Sequence, residues 1–133
     1  MSLKLEIVTP TGKVLDAQAT SISAPGVNGE FGVLPHHRPA LLMLSGGAVA
    51  YEGPSGQGRV YIRGGVAEVR ADGVLVLADA AFKPEALDRG AAEKLLATTE
   101  AALAAHEYIG DEKQRRLSSD RAFAEAVLKV TGH

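Results

Sequence analysis

The chain has 133 residues, a formal net charge of -2 and 46% apolar residues. That is enough for one domain with a real core, or a small domain plus an appendage, and it excludes a molecule whose whole surface attracts nucleic acid or anionic lipid. There is no cysteine, which removes disulfides, thiol catalysis and Cys-ligated zinc. No apolar run approaches the roughly 18 residues of a membrane span, and the opening MSLKLEIVTP has no signal-peptide core, so a soluble cytoplasmic protein is expected.

In chain order, Leu3, Leu5 and Ile7 alternate with Lys4 and Glu6, the period-2 pattern of a half-buried strand. Turn-formers follow at Gly12, Gly26, Asn28-Gly29 and Gly46-Gly47. The run Gly53 to Gly58 (GPSGQG) reads as a solvated loop between strands. RVYIR (59–63) puts Val60 and Ile62 on one face; VAEVR (66–70) and VLVLAD (74–79) alternate in the same way. Between the last two, Asp72-Gly73 predicts a two-residue type I′ hairpin, whose central residues both need positive φ. Many short strands with regular turns predict a β-sandwich or barrel over 1–83.

From Pro84 on the pattern changes. These 50 residues contain no further proline, three of the 15 glycines and eleven alanines, a composition that favours helix. Pro84 fits a first helical turn. Leu87, Ala91, Leu95, Thr98 and Ala102 form one stripe at helical spacing. Gly110 ends that segment, with Asp111 as the expected N-cap of a second helix. Phe123, Val127 and Val130, flanked by Ala124 and Leu128, form its apolar stripe. The short link predicts an antiparallel helical hairpin over 84–133.

Charge divides along this hairpin. From 84 to 107, Glu85, Asp88, Glu93, Glu100 and Glu107 outnumber Arg89 and Lys94; from 113 onward, Lys113, Arg115, Arg116, Arg121 and Lys129 outnumber Asp120 and Glu125. Attraction between the two helices is one reading, and a basic face turned to an acidic partner is the other. The large side chains available between the helices are mainly Leu95, Leu96, Leu103, Phe123, Val127 and Leu128. At about 25 cal/mol per Å² of apolar area, such thin docking predicts that the hairpin detaches at a cost of a few kcal/mol.

Candidate chemistry is sparse. His36-His37 suggests a metal site, but adjacent histidines on an extended loop point to opposite sides. Glu30 is the nearest acid, and His106 and His133 lie in the other half. Neither GxGxxG nor GxxxxGK[ST] precedes a helix, and no serine sits in a G-x-S-x-G elbow. Neither a catalytic residue nor a metal site is expected.

The segment Gly29-Glu30-Phe31-Gly32-Val33-Leu34-Pro35, followed by His37, Pro39, Leu41 and Leu42, resembles the signature of the epsilon subunit of bacterial F-type ATP synthases. Val8-Thr9-Pro10 with Gly12, and Pro25-Gly26 before Gly29, match that family's opening. Gly64-Gly65-Val66-Ala67-Glu68-Val69 resembles its S-G-G-x-x-E-V, with Arg63 where serine is usual; Val74 to Asp79, then Ala80, resembles its T-V-L-A-D-T-A. The likeness covers nearly the whole chain.

The resemblance implies a mainly β plus α fold: an N-terminal ten-stranded β-sandwich followed by a C-terminal antiparallel two-helix hairpin. It implies a non-catalytic rotor subunit, peripheral to the cytoplasmic side of the bacterial inner membrane. That subunit binds the central gamma shaft and the c-subunit ring, and it couples proton-driven ring rotation to the catalytic head. Glu30, Phe31, His37 and Arg38 are the expected ring contacts, and Leu41 and Leu42 the expected shaft contacts. Pro35 and Pro39 stiffen the loop, which lowers the entropy cost of docking. The hairpin is expected to extend towards the alpha and beta subunits and suppress ATP hydrolysis, with Arg115, Arg116, Arg121 and Lys129 meeting an acidic segment of beta.

Some family members bind ATP through [IL]-D-x-x-R-A. Here the match is Leu87-Asp88-Arg89-Gly90-Ala91-Ala92, with alanine at the arginine position and Phe82 where those members carry an acid. Arg89 points about 100° away from the required direction, and Gly90 weakens the turn by about 1 kcal/mol relative to alanine. Weak or absent ATP binding by Asp88 and Arg89 is therefore expected, and no other cofactor. Rival readings are a free-standing β-sandwich ligand-binding module with a helical lid, and a metalloenzyme using His36 or His37.

Overall fold

The structure, a computed structural model, describes residues 2–105 and 110–131. Glu107, counted above among the acids of 84–107, lies outside the described residues, as do His106 and His133.

Ten strands precede the helices. In chain order they are β1 (Leu3–Thr9), β2 (Gly12–Ala19), β3 (Ser21–Gly26), β4 (Gly29–Val33), β5 (Ala40–Leu44), β6 (Gly47–Gly53), β7 (Gly56–Ile62), β8 (Gly65–Arg70), β9 (Gly73–Ala78) and β10 (Ala81–Phe82). Pairing runs β10-β7-β6-β3-β5-β8-β9-β1-β2, with β4 on the free side of β3. The β1–β9 pair is parallel and the others antiparallel. The bridge between β3 and β5 is a single residue pair, Gly26 with Leu44. The sheet is therefore two five-stranded halves that fold over one another, as a sandwich requires.

The alternating pattern accounts for the core. Leu3, Leu5, Ile7, Val69 and Val76 from one half pack with Ile22, Val33, Val49, Val60 and Ile62 from the other. Period-2 geometry sends the residues between them outward. On β7 this places Tyr61 on the outer face, where it is nevertheless buried, because the helices lie over it.

A 3₁₀ turn (Pro84–Ala86) leads to α1 (Arg89–Ala104) and α2 (Asp111–Thr131). The Arg89 guanidinium at the start of α1 donates to the Leu128 carbonyl near the end of α2 at 3.4 Å, so the helices are antiparallel. Ala92, Phe123, Ala124 and Val127 pack with Tyr61, Phe82, Leu87, Leu95, Leu96 and Leu128 in a cluster separate from the sandwich core.

Several local expectations are corrected. The β8–β9 turn residues are Ala71 and Asp72, neither with positive φ, because Arg70 pairs with Gly73. Gly73 is needed for space, since a Cβ there would lie 2.6 Å from the Lys4 carbonyl oxygen. GPSGQG is a tight hairpin, not a loop: Gly53 pairs with Gly56, and Gly56, Gln57 and Gly58 belong to β7. Pro84 starts the 3₁₀ turn, and α1 begins only after Asp88, whose carboxylate accepts from the Ala91 amide at 3.0 Å. The buried face of α1 is Ala92 and Thr99, one position round from the expected Ala91 and Thr98. Residue Gly110, not Asp111, occupies the cap of α2: its carbonyl accepts from Gln114, and Asp111 is already helical. Val130 is exposed. The hairpin's seat is also larger than the helices alone suggested, because Tyr61 and Phe82 come from the β body.

Candidate contact surfaces

The segment after β4 is built on a proline turn. The His37 amide donates to the Leu34 carbonyl at 3.2 Å, with Pro35 in the second position and His36 in the third at φ 66°. Positive φ in the third position is type II geometry, which normally calls for glycine or asparagine. His36 is therefore not on an extended backbone, as the sequence suggested, but in a left-handed one. Its amide donates to the Ala71 carbonyl at 3.3 Å, which ties the loop to the β8–β9 turn. Among the described residues no cluster of histidines and carboxylates with metal-binding geometry forms.

The expected ring contacts are divided. Glu30 and Phe31 are strand residues of β4, beside Leu41, Leu42 and Met43 around one shallow depression. His37 and Arg38 follow the proline turn at the other end of β4. Glu30, His37 and Arg38 are exposed, whereas Phe31 is half-buried against the core and Val33 is inside it. Leu34 is exposed.

The two expected shaft residues face opposite ways, since neighbours on a strand alternate. Leu41 is 73% exposed, while Leu42 packs against the core. Cross-strand register sets Leu41 within a wider apolar face. Met43, Val66, Leu77 and Val8 lie in one row across β5, β8, β9 and β1, and Leu41, Glu68, Leu75 and Glu6 in the next. Leu77 is 51% and Met43 42% exposed. The outer face of the other half is different, because the hairpin covers Ala48, Tyr61 and Phe82 there. Val8, Val66 and Leu77 were not singled out in the sequence as outward residues of this face; for Leu77 the signal was apolar character on both faces of β9.

Charges frame this face. Lys13 reaches Glu6 at 2.8 Å and Asp16 at 3.2 Å. The hydrogen bond from Lys13 holds the Glu6 carboxyl below its ordinary value, and the same bond raises the Lys13 ammonium.

On the hairpin, Arg115, Arg116, Arg121 and Lys129 are all exposed. Three ion pairs lie within single helices: Arg89–Glu93 at 3.3 Å, Arg116–Glu112 at 3.9 Å and Arg121–Glu125 at 3.9 Å. Within its bounds α1 carries Glu93 and Glu100 against Arg89 and Lys94, so the acidic excess read from the sequence lies at Glu85 and Asp88, before the helix, and at Glu107, outside the described residues. Arg63 makes a pair that the sequence did not reveal, with Asp120 of α2 at 3.0 Å. Its only signal was an arginine where the resembling family has serine. The Asp120 hydrogen bond raises the Arg63 guanidinium's pKa, and the cation stands 6.0 Å from the Phe123 ring centroid. Phe123 in turn meets Phe82, centroid to centroid, at 5.5 Å.

Asp88 lines a cavity of about 360 Å³ between hairpin and sandwich, and Arg89 does not. Both side chains have structural partners: Asp88 caps α1, and Arg89 is turned to Glu93 and the Leu128 carbonyl. No helix among the described residues is long and apolar enough to cross a membrane.

These features define a class: a β-sandwich with one bare apolar sheet face and a helical hairpin on the other. A family model described as "ATP synthase, Delta/Epsilon chain, beta-sandwich domain" matches residues 2–84. The ATP synthase epsilon chain of Nitratidesulfovibrio vulgaris (strain DP4) is 39% identical over 132 residues, 99% of this chain and 97% of that one. That of Granulibacter bethesdensis is 35% identical over 128 residues, 92% of this chain and 95% of that one. In fold, the chain is similar to part of the Euglena gracilis mitochondrial ATP synthase structure (OSCP/F1/c-ring), with a TM-score of 0.71, 23% identity and coverage of 99% of this chain and 82% of that one. A Tetrahymena thermophila mitochondrial ATP synthase structure, of the central stalk and c-ring, gives a TM-score of 0.60 at 15% identity, covering 96% of this chain and 97% of that one. The chain belongs to the ATP synthase delta/epsilon family.

Proposed function

We propose that this chain is a non-catalytic rotor subunit of a proton-translocating F-type ATP synthase. It acts as two parts, a sandwich of 1–83 that grips the rotor and a hairpin of 84–133 that regulates. The observation that carries this reading is the outward apolar row Met43, Val66, Leu77 and Val8 with Leu41 beside it, of which Leu41, Leu77 and Met43 are exposed. Large apolar side chains grouped on the outside of a folded protein mark a partner surface. The partner is the gamma shaft. Leu42 serves that contact by supporting Leu41 from the core side.

The c-subunit ring meets the edge bearing Glu30, Phe31, His37 and Arg38, where a proline turn holds the loop in one shape before docking. Arg115, Arg116, Arg121 and Lys129 meet the alpha and beta subunits once the hairpin extends, and so suppress ATP hydrolysis. The complex holds the chain peripherally on the cytoplasmic side of the inner membrane. The test is ATP hydrolysis by the assembled enzyme with and without residues 85–133. Faster hydrolysis after deletion is expected; an unchanged rate would leave the hairpin as an assembly element only.

A further inference from the structure

The hairpin meets the β body chiefly through α2, which lies against β6 and β7. One turn of that helix, Ser119 to Phe123, makes the closest approach. A Cβ placed on Gly46 would overlap the Ser119 carbonyl oxygen and lie 2.6 Å from the Phe123 amide nitrogen and 2.8 Å from its Cβ. A Cβ on Gly64 would touch Ser119 at 3.4 Å. The Arg63–Asp120 pair closes over the same turn at 3.0 Å.

Gly46 differs from the other crowded glycines of the sandwich. At Gly53, Gly65 and Gly73 the nearest obstructing atoms belong to other strands, so a side chain there damages the body itself. At Gly46 all three nearest atoms belong to α2, and its φ lies outside the left-handed region. An L-residue is therefore compatible with the body's backbone at 46, and incompatible only with a docked helix.

We propose that Gly46 and Gly64 form a seat for one turn of α2, latched by Arg63 and Asp120, and that the fit of this seat, added to the apolar contact with Tyr61 and Phe82, tunes the balance between docked and released hairpin. It deepens the proposed function, since release is the step that regulation would use. Filling the seat at Gly46 acts on the docked state and leaves the body intact, whereas Gly64, at φ 126°, would strain the body's own backbone. Overpacking a close contact of this kind lowers the docked-to-released ratio by roughly 5- to 150-fold.

The chain has no cysteine, so a single introduced thiol reports release. Ser119 is buried in the seat, and Ser119→Cys is nearly isosteric. In the full chain carrying Ser119→Cys, Gly46→Ala should raise the thiol-labelling rate by roughly 5- to 150-fold. Val76→Cys, in the sandwich core, should label at an unchanged rate. Gly32→Ala, where the added Cβ has its nearest neighbour at 3.8 Å, should change neither. Arg63→Gln should accelerate labelling at 119 by a smaller factor. An unchanged rate at 119 with Gly46→Ala, or a parallel rise at 76, overturns the proposal. If labelling rises but hydrolysis by the assembled enzyme stays constant, the seat stands and the inhibitory role fails.

Discussion

Leu41→Ala, Met43→Ala and Leu77→Ala together test whether the bare sheet face binds the shaft. In the free chain these side chains are 73%, 42% and 51% exposed, so between one and two whole side chains' worth of apolar surface awaits burial. Full burial of a Leu or Met contributes about 2 kcal/mol, so the three together supply roughly 3 kcal/mol of docking energy. Losing it raises Kd by about two orders of magnitude. The variant itself should be as stable as the parent to within about 0.5 kcal/mol, because surface substitutions away from core contacts seldom do more. Isothermal titration against isolated gamma subunit, with a melting curve as the stability control, reads both quantities. A Kd within about threefold of the parent's, with unchanged melting, would refute the assignment of this face.

Other outcomes follow from local geometry. His36 holds φ 66°, a region costly for branched side chains; His36→Val should lose about 1–2 kcal/mol in denaturant unfolding, while His36→Gly should be neutral or slightly stabilising. Equal effects of the two would show that the turn relaxes. The Glu6 carboxyl is held below its ordinary 4.5 by Lys13. Its contribution is complete above that value and is lost as pH falls through the lower folded value. Glu6→Gln should therefore flatten the fall in melting temperature below about pH 4.5; identical acid limbs would refute the coupling. Because Asp88 and Arg89 are committed to the helix cap, Glu93 and the Leu128 carbonyl, titration with ATP should give no micromolar binding, and micromolar affinity would show that Arg89 leaves those partners.

The division of elements was legible because it depends on local rules. Alternation along residues 3–7, 59–63, 66–70 and 74–79 placed the sandwich core, and alanine-rich composition after Pro84 placed the helices. The turns were less legible. At Gly53–Gly58 the string of turn-formers concealed two strand ends, and at Asp72-Gly73 the glycine serves the neighbouring Lys4 carbonyl rather than the turn. The first-helix stripe held at Leu87 and Leu95 but was off by one position at Ala92 and Thr99, because alanine and threonine on adjacent positions give almost no amphipathic contrast.

The candidate surfaces were partly legible. The proline-bracketed loop with exposed His37 and Arg38, and Glu30 upstream of it, were recognisable as presented residues. The apolar row across β5, β8, β9 and β1 was not, because register is a property of strand pairing and not of any one strand.

Composition and periodicity by themselves determined four of the strands, the core-facing residues on them, the helical character of the later chain, and where the two regimes meet near Pro84. Those outcomes follow from backbone propensity and from burial of apolar surface, which act within a few residues of one another. Only the tertiary structure decided which sheet face stays bare, that Tyr61 and Phe82 lie beneath the hairpin, and that Arg63 pairs with Asp120 across 57 positions. Such contacts join chain segments far apart in sequence, and their geometry depends on how strands pair and how closely a helix backbone approaches a glycine.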